Sequence, residues 1–454
     1  MALHRGLLRE GFKLPTCEKH FHDYDETWLI LSGRGTGYWI DHDGFREEFT
    51  LEAGDVWMIP AGFEHGSEGF ADTKSNSEDF RIQVFNGTLA AGHHVLGHHY
   101  VEQSGYIPRL TLTKTPTDRY KQKLRSNRGV TFVEKGKAKF GAVDCPPLRE
   151  GEILCRTVVS GLTNGTERNS LLGGNYGGAF PRRAGYQRVA EIVELGGGVA
   201  RRIYKTGDLI FSGRSSGIGH VEYFTCNVAN PNDEDMLLVK LAKDGSIDPI
   251  AASLFGIASV ALHDIRRADV RLGEELLVIG AGPVGQLVAQ VGRAAGARTT
   301  LVDLDEARLK LGLSLGPLTV FQPTPAETLV DHFGRDRFDV IMETSGAPVL
   351  DAVLGTDWAG GLLKPKGRLA LIGGRGEVGY TFNAGQAREI EVLHASHFVQ
   401  SDLEEVSRLA SLGILKTREL ITKVVPISEC EAVYAELVEA PSNLLGVAFD
   451  WRCA

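Results

Sequence analysis

Residues Glu275–Leu309 read ELLVIGAGPVGQLVAQVGRAAGARTTLVDLDEARL, and this stretch decides how the C-terminal part of the chain is read. The apolar run from Leu276 to Ile279 is too short for a helix and fits a strand buried on both faces. It leads into Gly280, Gly282 and Gly285, spaced GxGxxG. Pro283 and Val284 then open a helical pattern, where proline is tolerated because a first-turn N–H has no intrahelical partner. A second apolar strand follows and ends on Asp303, 18 residues beyond Gly285. In that context Gly280 permits a tight turn, Gly282 lets backbone approach a ligand, and Gly285 lets helix lie close on strand. The amides and positive dipole end of a helix N-terminus suit a pyrophosphate, and a carboxylate suits ribose hydroxyls. The stretch is therefore expected to hold a dinucleotide through Gly280, Gly282, Pro283, Val284, Gly285 and Asp303. Asp303 would repel a 2′-phosphate, which favours NAD over NADP, while Arg308 lies a helical turn on and can reach the adenosine side.

Outward from this point, residues 250–400 alternate strand and helix, the rhythm of a parallel sheet. RFDVIMETSG (337–346) and GRLALIGG (367–374) read as further buried strands, whose ends bring Thr344 and Gly373 to the expected cofactor edge. Residues 127–262 read mainly as short strands and turns. The tail beyond 401 adds two helices and a last strand, LLGVAFDW.

Near the N-terminus, residues 15–100 show apolar and aromatic alternation broken by glycine and proline, as in a small barrel or sandwich. His20 and His22 are two apart and share one face if they lie in a strand; Glu26 follows, and His65 closes the run GDVWMIPAGFEH. Three imidazoles and a carboxylate suit one divalent transition metal, whether Fe, Mn, Ni or Zn. A second cluster, His93-His94 with His98-His99, has no spaced acid or cysteine and reads more simply as a surface segment.

Composition narrows the class. The 454 residues allow about three domains, and 43% hydrophobic content is enough for real cores. The net charge of −9 sits within residues 1–105, which hold 8 Lys/Arg against 17 Asp/Glu. Such a chain is a poor nucleic-acid binder, since phosphate contacts need concentrated positive charge. No apolar run approaches the roughly 20 residues of a membrane helix, and the start lacks a secretory stretch, so no membrane association and a cytoplasmic location are expected. The six cysteines are scattered without a CxxC pair, as reduced thiols would be. A basic run from Arg109 to Arg128 reads as a linker that could dock on the acidic N-terminal part.

The two histidine-bearing segments resemble the signature motifs of the cupin superfamily. Residues 127–454 resemble the medium-chain dehydrogenase/reductase family almost end to end, through PPLREGEILCRTVVSG, GYQRVAEIVELGGGV, ASVALHDIRRADVRLGEELLVIGAGPVG and ASHFVQSDLEEVSRLASLGIL. The resemblances imply a multidomain α/β and all-β chain: a cupin β-barrel at 1–105, a linker at 106–126, a GroES-like catalytic domain at 127–262 completed by 400–454, and a Rossmann doubly wound sheet at 263–399. They also imply a homodimer.

The departures from the family bear on mechanism. Where zinc-dependent members place ligands, this chain has Thr163 or Asn164 in GLTNGTER, Tyr186 in AGYQRVA, and a position near Gly256 in SLFGIASVALH. The structural cysteine lobe is missing, so the expectation is no zinc in the dehydrogenase domain. Thr166 then matches a proton-relay hydroxyl, Tyr186 can donate to substrate oxygen, and His220 can reach the cleft. The implied activity is NAD-dependent oxidation of a secondary alcohol of the sugar, polyol or cyclitol class, or the reverse, with the cupin acting on or binding the same small molecule. Three alternatives stay open: a C=C reductase of the quinone or enoyl type using NAD(P)H, a redox-neutral epimerase holding NAD, and a cupin that only senses a ligand.

Overall fold

The structure, a computed structural model, describes residues 20–22, 26–41, 44–60, 62–66, 81–86, 98–100, 126–183, 185–213, 219–229, 237–242, 247–316, 318–325, 327–356, 358–441 and 444–453. The chain divides into two compact units, Met1–Lys121 and Gln122–Ala454. Most of the basic run from Arg109 to Arg128, with its expected docking, lies outside the described residues, as do His93 and His94.

The first unit contains β1 (His20–His22), β2 (Glu26–Ser32), β3 (Arg34–Ile40), β4 (Arg46–Glu52), β5 (Val56–Ile59), β6 (Glu64–Gly66), β7 (Arg81–Asn86) and β8 (His98–Tyr100). They pair as a five-stranded sheet, β4-β3-β6-β1-β8, and a three-stranded sheet, β5-β2-β7. Alternation decides which side of β2 is buried: Trp28 and Ile30 point inward, as period two requires, and pack with Leu51, Trp57 and Ile59. Trp28 and Trp57 meet edge to face at 5.0 Å, a favoured aromatic geometry.

The second unit begins with β9 (Asn127–Glu134), β10 (Lys137–Val143), β11 (Glu152–Thr163), α1 (Asn164–Leu171), β12 (Arg182–Arg183), β13 (Arg188–Leu195), β14 (Leu209–Ser212), β15 (Tyr223–Asn227) and β16 (Leu238–Lys240). Helices α2 (Pro249–Ala252) and α3 (Phe255–Arg267) then lead to an alternating segment. It runs β17 (Glu275–Ile279), α4 (Pro283–Ala294), β18 (Arg298–Val302), α5 (Glu306–Leu315), β19 (Thr319–Phe321), α6 (Leu329–Phe333), β20 (Phe338–Glu343), α7 (Leu350–Leu354), β21 (Leu363–Leu371), α8 (Phe382–Gln386) and β22 (Glu391–Leu393). The chain closes with α9 (Gln400–Ser411), β23 (Ile421–Pro426), α10 (Cys430–Glu439) and β24 (Gly446–Asp450).

Strands β17 to β22 form one parallel sheet in the order β19-β18-β17-β20-β21-β22. The order reverses between β17 and β20, and in open α/β sheets the crevice at such a reversal takes the ligand. Strand β11 is the spine of the mainly antiparallel sheet and pairs with β13, β15 and β24. The tail therefore returns to the antiparallel sheet through β24. Strand β23, parallel to β24, was not anticipated from the sequence. One core runs through both sheets, from Val159 and Phe211 through Phe255 on α3 to Leu276, Val288 and Leu403, so the two halves of this unit are packed as one body. Among the described residues, no helix is long and apolar enough to cross a membrane.

Candidate active site

At the carboxyl end of β17 the backbone turns through Gly280, whose φ of +100° lies in the region that favours glycine. A Cβ on Gly285 would stand 1.7 Å from the Gly280 carbonyl oxygen, so only glycine lets α4 lie this close on β17. A Cβ on Gly282 would meet nothing within 4 Å, which leaves open space over that residue. Gly282 is also the N-cap of α4, and no side chain caps the helix, while Pro283 sits in its first turn. The amides there remain directed at the crevice. Asp303, just past β18, accepts from Ala281 N at 2.6 Å and from Asp305 N at 2.8 Å, which fixes its carboxylate beside the glycine turn.

The other expected cofactor residues divide by role. Thr344 directs its hydroxyl at the carbonyls of Ile279 and Gly280, at 2.9 and 3.0 Å, and so braces the turn. A Cβ on Gly373 would sit 2.3 Å from Gly346 N, so Gly373 allows the β20 and β21 loops to touch. Val284 packs partly buried against the core. Arg308 lies 3.6 Å from Asp305.

The expected catalytic residues lie in the antiparallel half, along β11, α1 and the segment before β13. Tyr186 is half-buried, and a Cβ on Gly256 would come within 3.1 Å of its ring. Thr163, at the end of β11, is buried. Desolvation pushes the Tyr186 phenol well above its ordinary value; the Thr163 hydroxyl partly offsets this and the Glu167 charge adds to it. The phenol therefore stays protonated and suited to donate. The three positions flagged by the family departures, Thr163, Tyr186 and Gly256, thus converge. The neighbouring Gln187 is buried, accepts at Oε1 from Ile257 N at 3.1 Å, and leaves its Nε2 without an acceptor.

Three other residues fall elsewhere. Asn164 donates to the carbonyl of Leu444 at 2.8 Å, tethering α1 to the C-terminal loop. Thr166 is exposed on α1. His220 is almost wholly buried, with Nδ1 2.8 Å from Ser160 Oγ and Nε2 3.1 Å from Glu167 Oε2. Both ring nitrogens are occupied inside the core, so the expected reach into the cleft is corrected: His220 braces the site from behind. A Cβ on Gly185 would strike its ring at 2.6 Å, so the imidazole props the backbone beside Tyr186.

Two residues of this region were missed in the sequence. Glu167 joins α1 to His220 and to Tyr434, and His397, beyond β22, lies edge-on to Tyr186 with ring centroids 6.0 Å apart. Glu167 lies in the GTER run and His397 in the family-like segment ASHFVQSDLEEVSRLASLGIL, but neither was singled out by residue.

In the first unit, His20 and His65 are register partners, and His22 pairs with His98 on the other side. Glu26 Oε2 lies 3.4 Å from His65 Nε2 and accepts from Trp28 at 2.9 Å. The side chains of His20 and His22 lie outside the described residues.

Comparison with known proteins adds the following. Residues 283–411 match the family described as zinc-binding dehydrogenase. D-xylulose reductase A of Aspergillus oryzae is 30% identical over 190 residues, 39% of this chain and 51% of that protein. Sorbitol dehydrogenase of Halalkalibacterium halodurans is 27% identical over 289 residues, 58% of this chain and 81% of that protein. The chain thus spans about half the length of the first curated relatives it matches. A solved structure of acetophenone reductase from Geotrichum candidum in complex with NAD superposes with a TM-score of 0.61 at 20% identity, covering 72% of this chain and 97% of that one. The second unit therefore has the fold of the medium-chain dehydrogenase/reductases.

These findings overturn the expectation of no zinc in the dehydrogenase domain, because the matching family is the zinc-binding one. The expectation leaned on ligand residue types at three aligned positions, and the family match outweighs it. Among the described residues, no group of three or more His, Cys, Asp or Glu side chains is placed to hold a metal, and around Tyr186 the donors are Thr163 and Gln187.

Proposed function

We propose that this chain is a nicotinamide-dependent oxidoreductase that interconverts a secondary alcohol and a ketone of the sugar or polyol class. The observation that carries the reading is that one packed unit holds both an open glycine turn and the protonated Tyr186 phenol. The turn from Gly280 to Gly285, with Asp303 locked beside it, lies at the sheet reversal of the same packed unit that presents Tyr186. The activities of the relatives D-xylulose reductase A and sorbitol dehydrogenase support the substrate class.

When bound, the dinucleotide supplies or accepts hydride at its nicotinamide. The rest falls to the protein. The free amides at the start of α4 hold pyrophosphate, and Gly282 provides the room. Asp303 takes the adenosine ribose and favours NAD. Tyr186, kept protonated, gives its proton to the carbonyl oxygen during reduction, a contribution of the general-acid kind worth about 10²–10⁴-fold. The Thr163 hydroxyl lies beside that phenol, and Thr166 stands on the adjoining helix.

For the first unit we propose a cupin module with a cation held by His20, His22, Glu26 and His65. The register pairing of His20 with His65 and the short reach from Glu26 to His65 support it. Assembly as a homodimer belongs to the same proposal.

The test is a set of absorbance assays for NADH: D-xylulose with NADH and sorbitol with NAD, set against an enone series and against the NADP pair. Turnover of the ketose or polyol with NAD is expected. Activity confined to enones, or no nicotinamide binding at all, would sink the reading.

A further inference from the structure

The chain leaves the carboxyl end of the parallel sheet after β22 and runs through residues 394–399 before α9 begins. His397 in this segment has φ of +58°, a left-handed backbone uncommon for a residue with a side chain. Such a conformation is strained, and neighbouring contacts must sustain it. They are visible: the imidazole stacks on Phe398 at 4.4 Å and 14°, and Phe398 is buried against Gly213, where a Cβ would come within 2.9 Å of it. Val399 N donates to Asp402 Oδ2 at 3.0 Å, fixing the far side of the turn. The imidazole is half-buried and edge-on to Tyr186, while residues 394–396 just before it are exposed.

We propose that His397 carries the proton between Tyr186 and solvent, a role that rests on the oxidoreductase reading above. In the reducing direction, Tyr186 gives its O–H proton to the carbonyl oxygen as the carbon takes hydride from the reduced nicotinamide. The phenolate regains a proton from the His397 imidazolium, and the neutral imidazole regains one from water. One ketone, one NADH and one proton thus become one alcohol and one NAD. An imidazole changes charge near neutral pH, which a phenol held well above its ordinary value does not, so His397 suits the role of proton carrier beside Tyr186. Titratable groups of this region include Tyr186, Glu167 on α1, whose charge acts on the phenol, and Asp402 on α9, whose carboxylate pairs with His263 and Arg266.

The variant H397G tests this, because glycine adopts the left-handed turn without strain and leaves a hole the size of the lost ring. With D-xylulose and NADH, kcat should fall about 10- to 100-fold, the KM for NADH should move less than about twofold, and added imidazole should restore much of the rate. Full kcat in H397G overturns the proposal, and so does a loss that imidazole does not rescue. A second measurement needs no turnover: imidazole NMR of the full chain follows the His397 titration, and Y186F should shift its midpoint. An unmoved midpoint overturns the coupling. Absence of any wild-type turnover would instead strike the oxidoreductase reading, leaving the NMR result to decide the role of His397.

Discussion

The hydroxyl of Tyr434 donates to Glu167 Oε2 at 2.6 Å, and both side chains are sealed from solvent. The same oxygen faces His220 Nε2, Ser160 Oγ accepts from Trp451 Nε1 at 2.9 Å, and Glu167 Oε1 lies 3.3 Å from Thr163 N. A single chain of buried polar groups therefore ties β11, α1 and the C-terminal α10 and β24 together, directly behind Tyr186. Buried polar groups are costly when left unpaired, so each link depends on the others. Y434F should lower unfolding stability by about 1–3 kcal/mol. E167A, which strands His220 and Tyr434 together, should cost more. Urea denaturation of each variant checks the order.

Asp264 on α3 is buried, its Oδ2 has no hydrogen-bond partner, and its carboxyl is pushed up to about 7 by burial and secondarily by the Asp402 charge. A carboxyl whose folded value is raised holds its proton longer in the native state, so stability is lost as pH rises from about 4 to about 7 and is level above. D264N should therefore be more stable than wild type at pH 8, by an amount on the order of 2–4 kcal/mol, with the gap closing near pH 4. Thermal melts at the two pH values measure it, and an equal gap at both would refute the assignment.

Gly282 and Gly285 belong to one motif but should fail differently. G282A places a methyl in open space, so the melting temperature should hold while NAD affinity drops by about tenfold or more. G285A drives a methyl into the Gly280 carbonyl and should cost at least about 2 kcal/mol of stability. Calorimetric melting alongside fluorescence titration with NADH separates the two outcomes.

Y186F removes the phenol while keeping the ring. Its kcat for ketone reduction should fall by about 10²-fold or more, with NADH binding intact. A variant that reduces D-xylulose at the wild-type rate would remove Tyr186 from the chemistry.

His65→Ala should cost the first unit its cation, about one transition-metal equivalent per chain, with NADH binding unaffected. Elemental analysis of the purified wild type and variant provides the count. Equal metal content in both would rule out His65 as a ligand.

Local pattern was enough for the parallel sheet and its glycine turn. Gly280, Gly282, Gly285 and Asp303 act within some thirty residues, where backbone sterics and a helix start dictate what each position tolerates. The tail's strand β24 is legible as an apolar run into Trp451, but its pairing with β11 is a long-range contact that local pattern does not specify. Tertiary structure alone decided the partners of the buried charges. Nothing along the chain ties Glu167 to Tyr434, Asp264 to Asp402, or Tyr186 to His397, because long-range burial rather than local spacing joins them. It also turned His220 from a cleft residue into a brace, since whether an imidazole meets substrate or core depends on which strands close over it.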